Sequence, residues 1–323
     1  MDWQYHAQEI VWQPRPGSPS ESASLLAKAL QAHRPTGWVR HGSLHEATVQ
    51  GAIGLEPEES VHAALLANGR NTILARHGHP DPALQRFLLQ SCDLVVVEGD
   101  VGGSAPRIVE LDDEGNGLER LSEADRADVV ALVGRRAPTC PLPPGGVPRF
   151  PPEDVADLAE HLLDVFETRA RSRPPTGLFL SNPDDRPETR QASLRALRAV
   201  CDRVLHVGPD ESLERGGIEI VPSNHPAWGD AGRILSAFEA QDVSALVVLD
   251  SDEAHAARLE RLFAGRDVLS EATAFRARDT HMPDPGASIW EPRARQRLAG
   301  MLAIGIACPR RTLVQASTRL LDP

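Results

Sequence analysis

The residues best suited to chemistry stand at the ends of apolar runs. Leu94–Asp100 reads LVVVEGD, an aliphatic run closing on Glu98 and followed by the permissive Gly99. A carboxylate at the carboxyl end of a buried strand can hold Mg2+ directly or through water, or can simply face solvent. Val247–Asp252, VVLDSD, places Asp250 and Asp252 in the same position on a second run. Two acids there supply the hard oxygen ligands of a Mg2+–phosphate site. The competing reading is that they cap a helix starting near Glu253. Before that run, Gly229, Asp230, Ala231 and Gly232 make a small-residue turn leading into a helix. His77 and His79 in RHGHPD form a metal pair without a third ligand nearby, or a polar turn before Pro80. Trp228 and Trp290 read as packing aromatics rather than base-stacking platforms.

Such carboxylates need a phosphate cradle. Between the run Ile10–Trp12 and a helix near Ser22 the chain reads QPRPGSPSESASLLAKAL. Strand, loop and helix follow in the right order, but GxxxxGK followed by Ser or Thr is absent. Pro14, Pro16 and Pro19 have no N–H to offer a phosphate. Ser22 falls where the lysine belongs and Ala23 where the Mg2+ hydroxyl belongs, which leaves Ser20 and Ser22 as the polar groups at hand. The one lysine of the chain, Lys28, comes six residues too late. This loop is expected not to bind a triphosphate tightly.

The elements that carry these residues alternate. Ile10–Trp12, Thr72–Ala75, Leu94–Val97, Arg107–Leu111 and Val129–Val133 read as strands, with helices over Ser22–Gln31 and Pro82–Leu89. Val155, Leu158, Ala159, Leu162, Leu163 and Phe166 follow helical spacing behind the acidic start Pro151, Pro152, Glu153 and Asp154. A second series follows. Its strands are Gly177–Leu180, Arg203–Val207, Ile218–Val221, Leu246–Leu249 and Ala272–Phe275. Its helices are Glu188–Val200, Ala231–Glu239, His255–Phe263 and Arg293–Ile304. Alternation of this kind predicts α/β domains with mostly parallel sheets covered on both faces and ligands at the carboxyl ends of the strands. RARSRPPT, Arg169–Thr176, breaks the periodicity and reads as a linker. The expected domains are therefore 1–170 and 177–323, joined by 171–176. Thr139–Pro152, rich in proline, is expected to lack regular structure.

Composition narrows the partners. The 323 residues suit two domains at about 150 residues each. Asp and Glu outnumber Lys and Arg, 46 to 34, for a net charge of −12 without any basic run. Nucleic acid and anionic membranes are thereby disfavoured. No apolar stretch has the length of a membrane span, and the N-terminus does not read as a secretion signal. Cys92, Cys140, Cys201 and Cys308 show no metal spacing and read as reduced thiols of a cytoplasmic protein.

Together these segments resemble two families of molybdenum cofactor synthesis. Residues of about 8–170 are similar to the MobB-type adaptor, a P-loop GTP-binding protein. That similarity rests on the strand–loop–helix start, ALLANGRNTILAR and CDLVVVEGD. Residues of about 176–323 resemble the MobA-type guanylyltransferase, which makes molybdopterin guanine dinucleotide. Here the segments are GDAGRILSAF, VVLDSD, ATAF, PGASIWEP and CPRRTLVQASTRLLDP, in family order. The resemblance implies a degenerate P-loop NTPase-like domain and then a nucleotidyltransferase, Rossmann-like domain, each of three layers. It puts Asp252 on the magnesium-binding acid, with Asp250 as an extra carboxylate. Both phosphate loops depart from the family. Where the transferase has LAGGxSxRMGxDK, this chain has LFLSNPDDRPETRQ from Leu178, with Asn182 and Pro183 in place of the glycine pair. Arg186 or Arg190 is left as the catalytic cation, and Asp184 and Asp185 repel a triphosphate. Near the C-terminus an NSD-type segment appears as Gln315, Ala316 and Ser317, which removes a carboxylate.

The resemblance implies three alternatives. The chain is a non-catalytic maturation protein that binds molybdopterin, its guanine dinucleotide or the proteins handling them. Alternatively, it is an active GTP:molybdopterin guanylyltransferase using Mg2+ at Asp250 and Asp252. Or it is an accessory subunit of a molybdoenzyme or of an active transferase. The expected cofactor-binding residues are Ser20, Ser22, Glu98, Gly99, Gly229, Asp230 and Gly232. Self-association into a homo-oligomer is compatible with all three.

Overall fold

The computed structural model describes residues 9–15, 21–40, 64–68, 71–75, 92–99, 105–142, 146–181, 184–209, 213, 218–240 and 243–323. The chain divides into two compact units, Met1–Glu160 and His161–Pro323. The helix Val155–Arg171 spans this division, and residues 172–175 of RARSRPPT connect it to the strand that begins at Thr176. That helix buries Leu158, Ala159, Leu162 and Phe166, the stripe set by its apolar spacing.

The first unit holds a six-stranded sheet. Its strands are β1 (Glu9–Gln13), β2 (Thr36–Arg40), β5 (Leu94–Glu98), β6 (Arg107–Glu110), β7 (Val129–Val133) and β8 (Arg149–Phe150), in the order β2-β5-β1-β6-β7-β8. Every neighbouring pair is parallel. Helix α1 (Glu21–Gln31) buries Ala23, Leu26, Ala27 and Leu30. β3 (Ala64–Asn68) and β4 (Asn71–Ala75) form a separate antiparallel ribbon, so the run Thr72–Ala75 is a hairpin strand and not a member of the parallel sheet. The segment expected to be irregular, Thr139–Pro152, contains β8, because Leu132 and Val133 offer an open sheet edge to Arg149 and Phe150. The expected helix Pro82–Leu89 lies outside the described residues.

The second unit is a seven-stranded sheet with helices on both faces. After β9 (Thr176–Leu180) come α4 (Pro187–Val200), β10 (Val204–Val207), β11 (Glu219–Val221), α5 (Gly229–Glu239), β12 (Leu246–Asp250) and α6 (Glu253–Ala264). β13 (Ala272–Arg276), β14 (Pro283–Trp290), α7 (Ala294–Ala303), α8 (Pro309–Gln315) and β15 (Thr318–Leu321) complete it; α2 (Glu123–Ala127) and α3 (Val155–Arg171) are the remaining α-helices of four residues or more among the described residues. The strand order is β11-β10-β9-β12-β14-β13-β15. Strand side chains alternate between two cores. Leu178, Leu205, Val248 and Ala274 meet Ile234, Leu298 and Leu313 from α5, α7 and α8. Phe179, Val247, Leu249 and Phe275 meet Leu197, Leu259 and Leu262 from α4 and α6. Fully burying one such side chain is worth about 2 kcal/mol, and the strands read as continuous aliphatic runs because both faces are covered. The sheet is not wholly parallel: β14 runs antiparallel between β12 and β13.

Candidate functional site

The site lies at the carboxyl ends of the parallel strands of the second unit. From β9 the order proceeds one way through β10 and β11 and the other way to β12, so the switch point falls between β9 and β12. Loops diverge at such a point and leave the crevice where open α/β sheets take ligands. Here the two loops are tied together: the Ser251 hydroxyl, just after β12, donates to Asp185 Oδ2, just before α4. Asp184 is exposed beside it. Arg186 is the N-cap of α4 and is exposed, and Arg190 is half-buried one turn on. Asn182 and Pro183 lie outside the described residues.

On the other side of β9, Arg233 of α5 donates from Nη1 to the carbonyl of the buried Ser181, at 3.0 Å, and lies 3.5 Å from Asp230 Oδ1. The turn Gly229–Gly232 is the first turn of α5 itself. Gly229 takes φ +52, and a Cβ on Gly232 would stand 2.1 Å from the His225 carbonyl oxygen. Glycine therefore lets the chain leaving β11 lie against the helix. There Glu239 accepts hydrogen bonds from Asn224 Nδ2 and meets His225 Nε2, both at 2.9 Å, and His225 stacks on Trp228 with ring centroids 5.3 Å apart. Trp290 is fully buried and donates to Ser288 Oγ. Both tryptophans pack.

Asp250 and Asp252 do different things. Asp252 is the N-cap of α6, its Oδ1 accepting from Ala254 N at 2.8 Å. Asp250 Oδ1 accepts the backbone N–H of Asp252 at 3.0 Å and meets His255 Nδ1 at 2.7 Å. The other ring nitrogen of His255 lies 2.9 Å from Asp284 Oδ2 on β14. Arg258, three residues along α6, places Nη2 3.6 Å from the same oxygen and its guanidinium over the Phe275 ring. Gly286 closes the group: a Cβ there would stand 2.2 Å from Asp250 Oδ2 and 2.6 Å from His255 Cε1. Burial disfavours a charged His255 ring, but the hydrogen bonds and charges of Asp250 and Asp284 outweigh it and raise its pKa to about 10. Burial likewise opposes ionisation of Asp284, and His255, the Gly286 N–H and Arg258 reverse that and lower its pKa.

As placed, these donors do not fit a Mg2+ ion. The carboxylate oxygens facing one another at the end of β12 already hold a cationic ring, whereas Mg2+ demands oxygen ligands in near-octahedral geometry at about 2.1 Å. Among the described residues no group of three or more His, Cys, Asp or Glu side chains is arranged to hold a metal.

His255 and Asp284 were not singled out by their spacing. His255 reads only as the start of an amphipathic helix, and Asp284 sits in a proline-rich segment on another strand. The signal within reach is a histidine in the first turn of the helix after a strand-ending aspartate. PGASIWEP, which the transferase resemblance groups as one motif, serves two ends of the sheet. Gly286 belongs to the Asp250 group, while Glu291 pairs with Arg266 through two bonds of 2.6 and 2.9 Å at the opposite edge. Ser317 is at that opposite edge too, donating its N–H to the buried Glu271 at 2.7 Å.

In the first unit Glu98 is buried at the end of β5, paired in register with Trp12, and Gly99, at φ +134, donates to the Trp12 carbonyl at 3.0 Å. Ser22 lies in the first turn of α1, and Ser20, His77 and His79 lie outside the described residues. The four cysteines are free, and burial pushes the Cys201 thiol up to about 12. Among the described residues no helix is long and apolar enough to cross a membrane.

No protein-family model matches the chain, and no curated protein matches it. Solved structures do. Molybdopterin-guanine dinucleotide biosynthesis protein A from Archaeoglobus fulgidus is 14% identical over 46% of this chain and 83% of its own, with a TM-score of 0.32. A MobB protein homolog from Bacillus stearothermophilus is 20% identical over 50% of this chain and 98% of its own, at 0.33. CMP:2-keto-3-deoxy-manno-octonic acid synthetase, solved with CTP, is 12% identical over 46% of this chain and 89% of its own, at 0.35. Each spans about half of this chain. The α/β assignment of both units stands on the sheet orders themselves, and function is argued from the site.

Proposed function

We propose that the chain is a maturation protein of the molybdopterin guanine dinucleotide pathway that binds the cofactor or its handling proteins and does not transfer GMP. The pathway is suggested by the sequence segments that resemble the adaptor and the transferase. The loss of transfer is supported above all by one observation: the hydrogen bond of Ser251 to Asp185 across the switch point. Nucleotidyl transfer is positioning and charge stabilisation by cations and backbone donors. At this crevice the loop after β9 brings Asp184 and Asp185 instead, and the second of these is fastened to the loop after β12. A triphosphate entering there meets the two carboxylates alongside the exposed guanidinium of Arg186 at the helix start.

The test has two arms. Calorimetric titration with GTP and Mg2+ is expected to show no binding tighter than millimolar, while molybdopterin or its guanine dinucleotide is retained on gel filtration. Pyrophosphate release from GTP and molybdopterin, at a rate comparable with an active transferase run as control, would refute the reading.

A further inference from the structure

We propose that His255 is a resident cation that takes the place of a divalent metal at the end of β12. An ionised carboxylate only accepts hydrogen bonds. His255 sits with one ring nitrogen 2.7 Å from Asp250 Oδ1 and the other 2.9 Å from Asp284 Oδ2. Two acceptors at opposite corners of one ring require two donors, and an imidazole supplies both only with a proton on each nitrogen. The ring then does part of what a bound cation would do: it holds together the carboxylates that end β12 and open β14 and balances one of their two charges, while Arg258, 3.6 Å from Asp284 Oδ2, faces the other. A metal is mobile and is lost to chelators; this cation is covalently part of α6.

Three features of the fold build the position. The N-cap bond of Asp252 to Ala254 fixes the start of α6, so that the third residue past the cap carries its ring back toward β12. Gly286 removes the side chain that would fill the space of the ring and of Asp250 Oδ2. The Gly286 N–H, donating to Asp284 Oδ1 at 3.2 Å, turns the second carboxylate oxygen toward His255. The ring is only 12% exposed, so an entering ion cannot reach between the two acids without displacing it. His255 is thus a positioning residue for Asp250, and the inference holds whichever cofactor the protein serves.

The proposal predicts a spectroscopic signature in the unmodified protein. In long-range proton–nitrogen spectra at neutral pH, the His255 ring, assigned through its proximity to Gly286, should show both nitrogens protonated, and millimolar Mg2+ should leave it unchanged. In parallel, the paramagnetic resonance signal of free Mn2+ should keep its full amplitude on addition of the protein. A bare ring nitrogen on His255 would overturn the proposal. So would one equivalent of Mn2+ bound at micromolar affinity and lost in Asp250→Asn. Either result leaves the pathway reading standing, since that reading is decided by cofactor retention and pyrophosphate release.

Discussion

Gly286 lies so close to Asp250 that a methyl group on its Cα would stand 2.2 Å from the carboxylate Oδ2. The two residues belong to different strands with opposed directions, and the absence of a side chain on one fixes the seat of the other. Gly286→Ala should therefore displace Asp250 and the His255 ring together, at a cost of about 2 kcal/mol from overpacking. Urea unfolding of the variant against the parent measures it. A change below a few tenths of a kcal/mol would mean that the carboxylate moves aside freely.

The doubly bonded histidine makes stability depend on alkaline pH. The folded-state pKa of His255, about 10, is above the ordinary 6.5, so the folded protein binds this proton more tightly than the unfolded chain. Its contribution is fully present below pH 6.5 and is lost as pH rises through about 10. His255→Asn should be less stable than the parent at neutral pH by about 2 kcal/mol, and the gap should close toward pH 10. Denaturation midpoints of both proteins across that range give the answer, and a constant gap would contradict it.

At the switch point, removing the two carboxylates tests the electrostatic argument directly. Asp184→Asn with Asp185→Asn should raise affinity for GTP by about thirtyfold, because each of the two unit charges near a triphosphate costs on the order of 1 kcal/mol at a solvated surface. Titration with a fluorescent GTP analogue at fixed ionic strength reads the change. Equal affinity in parent and variant would mean that something other than these charges keeps the triphosphate out.

The opposite edge of the sheet supplies a control. Arg266 and Glu291 form a two-bonded pair with side chains 5% and 2% exposed. Glu291→Gln leaves the guanidinium without its counter-charge and should destabilise the protein by about 3 kcal/mol. Its effect on ligand binding at the carboxyl edge should be nil, as measured by cofactor retention at a temperature where the variant is folded.

Much of the framework was legible. Leu246–Leu249, Val129–Val133 and Gly177–Leu180 are aliphatic runs because their strands are covered on both sides, and burial on both faces writes itself into composition. β14 was not legible as a strand. Pro283, Pro285 and Gly286 hide it, since proline cannot donate to a ladder and glycine weakens a strand pattern. The structure resolves this through register: β12 pairs with β14 only as far as Leu249 opposite Ala287, so both prolines lie beyond that ladder. β2 and β15 escaped notice because each is short and borders the sheet, where polar and charged residues are allowed.

The sequence alone determined the two α/β units and the acids that end Leu94–Glu98 and Leu246–Asp250. These are local properties, carried by residue type and short spacing. Only the tertiary structure decided what Asp250 binds. Asp284 comes to it on an antiparallel strand inserted beside β12, and His255 turns its ring into the gap that Gly286 leaves. Residue type does not say which partner a strand-ending carboxylate meets; that falls to whichever donor the neighbouring strand and helix hold within 3 Å, and sheet order sets it across long stretches of chain.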